Sequence, residues 1–332
     1  MKIAINGFGR IGRAALKIAL EKKGVQIVAI NDLTDTRTLA YLLRFDSVYG
    51  RYSKKVSYDD KNLIINGKKI PVFTEKDPSK LPWKKLGVDV VLECTGVFEK
   101  KAELEMHLKA GAKKVVLSSP AKDEVTTLVF GTEFTEKNIG KERIVSNASC
   151  TTNCIAPVMQ VLQSAFGIDK AIMSTIHAYT ATQKIVDGPD AKDVRRGRAG
   201  AVNMTPSTTG AAKATTLVIP DLKDRFDGIA IRVPVICGSL SDITAVLKKD
   251  VTIESVNKAF VKASNNYLYK GILGVTGPDD ELCSTDIIGT TQSAIVDLKF
   301  TRVVGGNLVK VLAWYDNEWG YTNRLVEMML TN

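Results

Sequence analysis

The residue types most able to carry covalent chemistry are scarce in this chain, which has 332 residues but only two histidines and five cysteines. Cys150 lies in the run SCTTN, where a strand-like segment changes to a helical one. A thiolate at a helix N-terminus is stabilised by the helix dipole and by free N–H groups. His177 ends the apolar run AIMSTIH, directly before a long polar segment. These two positions predict a cysteine nucleophile with an imidazole base.

The other cysteines and the second histidine have simpler interpretations. Cys154 lies one helical turn beyond the first cysteine and is expected to be buried. His107, in a helix with charges all round it, is expected to be structural or at the surface. Because the cysteines are odd in number and scattered, a disulfide framework is not expected, and no metal site is predicted. The remaining three are interpreted as small core residues: Cys94, Cys237 and Cys283.

A glycine motif near the N-terminus, GFGRIG at residues 7–12, predicts dinucleotide binding because it follows a strand and opens a helix. Gly7 permits the tight turn. Gly9 lets a pyrophosphate approach the backbone, and Gly12 allows close packing of helix on strand.

Three side chains extend this motif. Arg10 and Ile11 are positioned to touch the phosphates at the helix N-terminus. Asp32 ends the second strand, about 20 residues further on, where a carboxylate accepts the ribose hydroxyls and repels a 2′-phosphate. The motif therefore favours NAD over NADP.

A nicotinamide, a nucleophilic thiol and a base together suggest aldehyde oxidation. The thiolate attacks the carbonyl to form a thiohemiacetal, from which hydride leaves readily to NAD⁺. The thioester that remains is released either by water, giving an acid, or by phosphate, giving an acyl phosphate.

Several residues of the second half could bind phosphate, since arginine, hydroxyl and backbone N–H groups commonly do so together. Arg232 lies on the strand IAIRVPV, where an unpaired guanidinium would be costly. A solvated basic loop is the alternative interpretation for the exposed arginines. The other candidates follow His177 or lie in the loop and the hydroxyl-rich run after it: Thr180, Thr182, Arg195, Arg196, Arg198 and residues 206–213.

The pattern of elements predicts two domains with a boundary near residue 149. The first half alternates short apolar strands with helices, which favours a parallel sheet covered on both faces. The second half has longer strands of period two, which favour a mixed or antiparallel sheet. A final helix, Glu318–Leu330, is expected to pack back on the first domain. The predicted strands are Ile3–Ile5, Val25–Ile30, Asp89–Cys94, Lys114–Ser118, Thr127–Phe130, Arg143–Ser146, Ala171–Thr180, Gly228–Val235, Ser241–Lys248, Ser293–Phe300 and Leu308–Tyr315.

Composition limits the partners. The net charge of +10 favours anionic partners, which could be small phosphorylated molecules, nucleic acid or a membrane surface. The aromatic fraction is only 7% and no basic stripe with stacking aromatics is visible, so RNA binding is expected at most as a side activity. No apolar run is long enough for a membrane span or a signal peptide. A cytoplasmic location without membrane association is therefore expected.

Six motifs resemble the phosphorylating, glycolytic glyceraldehyde-3-phosphate dehydrogenase family: INGFGRIGR, SNASCTTNC, TIHAYTATQ, STTGAAKA, RVPV and YDNEWGY. The resemblance runs from residue 2 to about residue 330. It implies an α/β fold with a Rossmann NAD-binding domain at 1–149 and a catalytic α/β domain with a large mixed sheet at 150–315. A C-terminal helix at about 316–332 would return to the first domain. The resemblance also implies a homotetramer.

The same resemblance implies roles for individual residues. Cys150 would be the nucleophile and His177 the base. Thr180 and Arg232 would hold the substrate phosphate, and Lys76 stands where the family often has arginine. Beyond the glycines, the residues implied to contact NAD are Asn6, Arg10, Ile11, Asp32, Lys76, Ser118, Asn317 and Tyr321. Those implied to bind inorganic phosphate are Ser149, Thr151, Arg198, Thr209 and Gly210.

The implied reaction is NAD-dependent oxidation and phosphorylation of glyceraldehyde 3-phosphate to 1,3-bisphosphoglycerate. The main alternative is erythrose-4-phosphate dehydrogenase, which shares the scaffold and the Cys–His pair but releases an acid to water. The candidate phosphate-binding residues favour the first reaction.

Overall fold

The computed structural model describes residues 1–191 and 193–331 and divides into two compact units. The first unit comprises Met1–Leu128, Asn138–Ala148 and the chain from Thr322 onward. The second comprises Val129–Lys137 and Ser149–Tyr321. None of the helices in the described ranges is long and apolar enough to cross a membrane.

The first unit contains the strands up to residue 146. They are β1 (Lys2–Asn6), β2 (Gln26–Asn31), β3 (Phe45–Asp46), β4 (Gly50–Arg51), β5 (Val56–Asp59), β6 (Asn62–Ile65), β7 (Lys68–Phe73), β8 (Val90–Glu93), β9 (Lys114–Leu117), β10 (Thr126–Thr127) and β11 (Ile144–Ser146). The helices of this part of the chain are α1 (Arg10–Ala19), α2 (Thr36–Arg44), α3 (Trp83–Leu86), α4 (Lys101–Lys109) and α5 (Glu133–Asn138), the last of which runs from the second unit into the first.

Nine of these strands form one sheet in the order β10-β11-β9-β8-β1-β2-β7-β6-β5. The strands from β10 to β7 pair in parallel, which confirms the predicted parallel sheet for this part. The predicted strand at Thr127–Phe130 was wrong in extent, because only Thr126 and Thr127 pair.

An antiparallel extension of this sheet, β7-β6-β5, was not predicted. Asn66 and Gly67 connect β6 to β7, and both have positive φ, at 49° and 81°. An Asn-Gly pair of this kind is a strong hairpin signal because the turn between two such strands needs positive φ at both positions. The signal was therefore present in the sequence.

The second unit contains α6 (Cys150–Phe166), α7 (Ala211–Val218) and α8 (Ile253–Ser264). Its seven-stranded sheet has the order β13-β14-β12-β15-β18-β17-β16. Pairs β12–β14 and β16–β17 are parallel and the others are antiparallel, which confirms the predicted mixed sheet. The strands are β12 (Ile168–Ala178), β13 (Thr205–Thr208), β14 (Phe226–Val233), β15 (Ser239–Leu247), β16 (Leu273–Val275), β17 (Ala294–Val304) and β18 (Leu308–Tyr315).

The last helix, α9 (Trp319–Leu330), begins one residue after its predicted start. Its C-terminal end is tied to the first unit by Lys114, whose Nζ donates to the carbonyl oxygens of Met328 and Thr331 at 3.4 and 2.6 Å. Carbonyls in the last turn of a helix have no partner within the helix, and a lysine can satisfy them.

Candidate active site

Cys150 is the first residue of α6, as its sequence context predicts. Ser149 caps this helix, because its Oγ accepts a hydrogen bond from the amide of Thr152 at 3.0 Å. Ala148 precedes the cap with φ of 55°, a left-handed conformation that costs a non-glycine residue roughly 1–2 kcal/mol. The chain therefore turns sharply just before the sulfur, which lies at the positive end of a long buried helix.

His177 lies beside this sulfur, and its Nε2 is 3.4 Å from the Sγ of Cys150. It is the penultimate residue of β12 and only 3% exposed. The ring of Tyr315 meets the imidazole edge to face, with centroids 6.0 Å apart. Of the ten pairings that five cysteines and two histidines allow, the structure brings together the one that the sequence favoured.

Arg232 reaches the same imidazole from the adjacent strand. In the parallel pair β12–β14, His177 and Arg232 occupy the same register position. The guanidinium Nη1 lies 2.5 Å from Nδ1 of the ring and donates to the carbonyl of Ala178 at 3.2 Å. Nδ1 is also 2.7 Å from that carbonyl oxygen. Because a guanidinium N–H can only donate, Nδ1 accepts from Arg232 in this arrangement. When Arg232 turns to another partner, Nδ1 can carry the proton toward Ala178 and leave Nε2 as an acceptor facing the thiol.

The pKa values of the pair move in directions that keep both groups neutral. Burial raises the pKa of the Cys150 thiol, and the positive charge of Arg232 opposes this only in part. Burial, together with Arg232, lowers the pKa of His177 to about 3. The lowered thiol pKa expected from the helix N-terminus was wrong in direction, because burial outweighs the groups that lower the pKa. A thiolate must therefore form by transfer of the proton to His177 as the sulfur reacts.

Lowering the pH is expected to destabilise the fold through His177. Its pKa falls from 6.5 to about 3 on folding, so between these values the unfolded chain binds a proton that the folded chain does not. Stability is then fully present above pH 6.5 and decreases below it, by up to about 1.4 kcal/mol per pH unit for one proton. Urea unfolding at pH 7.5 and 5.5 should show a smaller decrease for His177→Asn than for the unmodified chain. Equal decreases would contradict the assignment.

A buried hydroxyl network supports the first turn of α6. Thr151 Oγ1 lies 2.9 Å from the hydroxyl of Tyr315, which lies 2.7 Å from Thr175 Oγ1. Burial raises the pKa of Tyr315, so the phenol remains protonated. The sequence did not single out Tyr315, although it ends a correctly predicted strand and begins the motif YDNEWGY.

Asn317 follows Tyr315 by two residues, and hydrogen bonds hold its side chain in place. Its Oδ1 accepts from the amide of Gly238 at 3.2 Å and from Ser239 Oγ at 2.9 Å. The same Ser239 hydroxyl accepts from the amide of Ala178, the residue after His177. These two hydrogen bonds to the amide oxygen orient the side chain of Asn317.

The remaining predicted phosphate-binding residues have partners of their own. Thr180 Oγ1 lies 2.9 Å from Thr182 Oγ1. Arg198 is exposed and its Nε donates to Asp187 at 2.9 Å. Gly210 is the N-cap of α7, where no side chain caps the helix. Among the described residues predicted to bind anions outside the SCTTN run, only Arg232 hydrogen-bonds to the Cys150–His177 pair.

The glycine motif of the first unit has the geometry of a nucleotide-binding loop. Gly7 has φ of 87°, and a side chain there would meet the amide of Thr95 at 2.6 Å. A Cβ on Gly12 would overlap the carbonyl oxygen of Gly7, which confirms the close packing predicted for it. A Cβ on Gly9 would meet no atom within 4 Å, so this side of the loop is open to a ligand.

Asp32 holds this loop. Its Oδ2 accepts from the amide of Phe8 at 2.7 Å and its Oδ1 accepts from the amide of Thr34 at 2.9 Å. Arg10, in contrast, is paired with Asp46 at 2.8 Å. A cavity of about 600 Å³ opens beside the loop, lined among others by Asn6, Gly7, Gly9, Asp32, Lys76 and Thr95. Tyr321 and Asn317 belong to the second unit.

Two glycine substitutions should separate loop stability from ligand binding. Gly9→Ala is expected to change stability by less than about 1 kcal/mol, since the added methyl meets no protein atom. It should weaken NAD binding at least about tenfold, because the methyl fills the space for the ligand. Gly12→Ala should instead destabilise the first unit by about 1–3 kcal/mol through overpacking. Calorimetric titration and thermal unfolding check both, and unchanged NAD affinity in Gly9→Ala would contradict the open-loop interpretation.

Some sequence interpretations need correction. Cys283 is exposed and Cys94 is partly buried, so neither is a fully buried core residue, whereas Cys154 and Cys237 are buried. His107 is completely buried, so the surface alternative for it was wrong. In the described residues no group of three or more histidine, cysteine or acidic side chains could hold a metal ion.

The fold and this site define a nicotinamide-dependent oxidoreductase. The family profile "Glyceraldehyde 3-phosphate dehydrogenase, NAD binding domain" matches residues 1–101, and the profile for the C-terminal domain of the same family matches residues 149–317. The chain belongs to the glyceraldehyde-3-phosphate dehydrogenase family, whose members use NAD.

Relatives are similar along nearly their whole length. The glyceraldehyde-3-phosphate dehydrogenase of Thermotoga maritima is 52% identical over 331 residues, which cover 99% of this chain and 98% of that protein. The protein of the same name from Borreliella burgdorferi is 51% identical over 334 residues, with 99% and 98% covered. That of Streptomyces coelicolor is 50% identical over 329 residues, with 99% and 97% covered.

Proposed function

We propose that this chain oxidises D-glyceraldehyde 3-phosphate with NAD and transfers the acyl group to inorganic phosphate, giving 1,3-bisphosphoglycerate. The observation that carries the proposal is the 3.4 Å contact between Cys150 Sγ and His177 Nε2, with Arg232 on the adjacent strand. The names of the relatives supply the substrate. The reaction belongs to glycolysis and runs in reverse in gluconeogenesis.

In the first step Cys150 attacks the aldehyde carbon while its proton passes to Nε2 of His177. A C–S bond forms, and the carbonyl π pair moves to oxygen to give a thiohemiacetal alkoxide. NAD⁺, when bound, supplies the acceptor for the hydride that this carbon then loses. The thioester on Cys150 is left, and one proton remains on His177.

In the second step an oxygen of inorganic phosphate attacks the thioester carbon. The C–S bond breaks, the acyl phosphate leaves, and the proton of the attacking hydrogen phosphate restores the thiol of Cys150. His177 releases the proton that it took up in the first step to solvent, as the H⁺ of the overall reaction, and is again neutral. Thr151, fixed by the Tyr315 hydroxyl, keeps the first turn of α6 in place throughout.

Arg232 links substrate binding to the strength of the base. In this structure its guanidinium lies against the imidazole, where its positive charge disfavours protonation of His177. A substrate phosphate bound by Arg232 and Thr180 would draw the guanidinium toward itself and add negative charge nearby. His177 then becomes a stronger base only when substrate is present.

The proposed phosphate and cofactor residues follow the family resemblance. Inorganic phosphate would be held by Ser149, Thr151, Arg198, Thr209 and Gly210. Arg198 would have to exchange its Asp187 partner for the ligand, which is feasible because both side chains are exposed. NAD would contact Asn6, Gly7, Gly9, Arg10, Ile11, Gly12, Asp32, Lys76, Ser118, Asn317 and Tyr321. The NAD-binding role proposed for three of these residues is supported by their position in the lining of one cavity: Asn6, Asp32 and Lys76.

The test of the reaction is NAD reduction with glyceraldehyde 3-phosphate, with and without phosphate or arsenate. The proposal expects turnover that depends on one of these anions. Full activity in water alone, with an acid as product and a preference for erythrose 4-phosphate, would support the alternative dehydrogenase.

We further propose that the chain forms a homotetramer. Large apolar side chains are exposed on the sheet of the second unit, among them Ile172 and Phe300, and Ile185 in the segment after β12 is 87% exposed. Large apolar side chains exposed on a sheet support an interface with another copy of the chain. Light scattering should give about four times 36.1 kDa, and Ile172→Lys should lower that mass. A monomer at micromolar concentration would contradict this.

Two further assignments complete the proposal. Residues 1–149 would form the NAD-binding domain, and residues 150–315 would form the catalytic domain. The helix at about 316–332 would belong to the NAD-binding domain. We place the enzyme in the cytoplasm, because its described cysteines are all free, as is usual in reducing compartments.

A further inference from the structure

Four buried polar side chains form a hydrogen-bonded network in the first unit that reaches the cavity beside the glycine loop. Trp83, Glu93, His107 and Asn6 are all 0% exposed. Trp83 Nε1 donates to His107 Nδ1 at 3.0 Å, and His107 Nε2 lies 3.0 Å from Glu93 Oε2. Buried polar groups on this scale are retained only where their hydrogen bonds are satisfied.

The position of the proton on His107 follows from the hydrogen bond with Trp83. An indole N–H can only donate, so Nδ1 of His107 must accept. The ring is therefore neutral and carries its proton on Nε2, from which it donates to Glu93. Glu93 accepts this bond and those described next, so both of its carboxylate oxygens are held by hydrogen bonds. In the described part of the chain no lysine or arginine pairs with it.

Two residues of the cavity wall supply the other donors to this carboxylate. Asn6 Nδ2 donates to Glu93 Oε2 at 2.5 Å. Thr95 donates to Oε1 twice, from its amide at 2.8 Å and from its hydroxyl at 2.5 Å. Both Asn6 and Thr95 line the cavity of about 600 Å³ beside the glycine loop.

The network continues along the wall through Asn31. Its Nδ2 donates to Asn6 Oδ1 at 2.7 Å and to the carbonyl of Glu75 at 2.9 Å. Its Oδ1 accepts from the amide of Glu75 at 2.9 Å. Asn31 and Glu75 also line the cavity, whereas His107 and Trp83 do not. One end of the network therefore forms the ligand wall and the other end is anchored in α4 and α3.

We propose that His107 is a positioning residue for NAD binding: through Glu93 it fixes Asn6 and Thr95 in the cavity wall, so that cofactor affinity depends on a histidine outside the cavity. The proposal concerns NAD binding alone and does not depend on the chemistry proposed for Cys150. Outer hydrogen-bond partners that orient contacting groups typically change ligand affinity tenfold or more when removed, as metal sites show.

The decisive variants are His107→Phe and His107→Gln, compared by calorimetric titration with NAD. Phenylalanine keeps the ring volume but cannot accept from Trp83 or donate to Glu93, and NAD should bind about tenfold more weakly. Glutamine can place an amide oxygen toward Trp83 and an amide N–H toward Glu93, and should restore most of the affinity. Turnover at saturating NAD should change less than twofold in both.

Leu104→Ala provides the matched control. Leu104 is in the same helix and is fully buried in an apolar cluster with Val115 and Leu117, but it is outside the network. Its truncation should lower stability by more than the His107 changes, yet leave the affinity for NAD unchanged. Unchanged affinity in His107→Phe, or an equal loss in Leu104→Ala, would overturn the proposal.

A measurement on the unmodified protein keeps the proposal testable if His107→Phe fails to fold. The chain has two histidines, so nitrogen-15 labelling of histidine gives only two imidazole patterns in solid-state NMR. The pattern that persists in His177→Asn belongs to His107. It should show a protonated Nε2 and an unprotonated Nδ1, with and without NAD. A protonated Nδ1 would refute the hydrogen-bond direction on which the proposal rests.

Discussion

Replacing Cys150 with serine is expected to abolish turnover, by at least about 10⁴-fold, the scale on which removal of a covalent nucleophile acts. A serine hydroxyl at the N-terminus of α6 keeps the helix start but is a far weaker nucleophile toward an aldehyde at neutral pH. The affinity for NAD should remain within about twofold, since the glycine loop and its cavity belong to the other unit. Steady-state NAD reduction and calorimetric titration with NAD measure the two quantities.

Two other cysteines provide controls for the same chemical change. Cys283→Ser alters an exposed thiol and Cys154→Ser alters a buried one, four positions beyond Cys150 in α6. Both variants should retain turnover within a few fold. Residual activity above about one per cent in Cys150→Ser would exclude the covalent role. In the alkylation experiment described below, the modified cysteine must be identified by peptide mass spectrometry. The exposed thiol of Cys283 should also be alkylated, but without loss of activity.

Replacing His177 with asparagine is expected to lower the turnover number about 10²–10⁴-fold, the usual contribution of a positioned general base. Burial keeps the pKa of the Cys150 thiol high, so the sulfur depends on Nε2 of His177 to accept its proton. Asparagine can hydrogen-bond to the thiol but cannot take up the proton at neutral pH. The affinity for NAD should not change.

The pH profile of Cys150 alkylation distinguishes a base from a structural histidine. In His177→Asn the alkylation rate should require a higher pH, because a thiolate must then form without an acceptor. Addition of an organic phosphate should accelerate alkylation in the unmodified enzyme, through withdrawal of Arg232 from the ring, and should do so less in the variant. Identical profiles for the two proteins would refute proton transfer between Cys150 and His177.

The sequence predicted the main elements and the reactive pair because the signals are local. Leu308–Tyr315 has the predicted bounds, and Cys150 begins its helix as expected. Strand ends were displaced by one to four residues where hydrogen bonding rather than side-chain pattern decides the limit. The β5–β7 extension was missed although β6 alternates buried and partly exposed residues and the Asn66-Gly67 turn indicated a hairpin.

The features that were not predicted depend on contacts between distant residues. His107 lies in a helix rich in charges, yet it is buried by Trp83 and Glu93, which no pattern within α4 reveals. Tyr315 became part of the site through its contacts with Thr151, Thr175 and the His177 ring. The direction of the thiol pKa was wrong for the same reason, because desolvation is set by the packing around the sulfur and not by its place in the helix.

The register of β12 and β14 also affects how the protein regains activity after denaturation. Arg232 and His177 are 55 residues apart in the chain and meet only when these strands pair in the correct alignment. Contacts between residues so far apart form slowly, because the intervening chain must first be closed into a loop. A slip of one residue would turn Arg232 to the opposite face of the sheet. Helical circular dichroism should therefore recover before catalysis, and the yield of active enzyme would report the fraction of chains that found the native alignment.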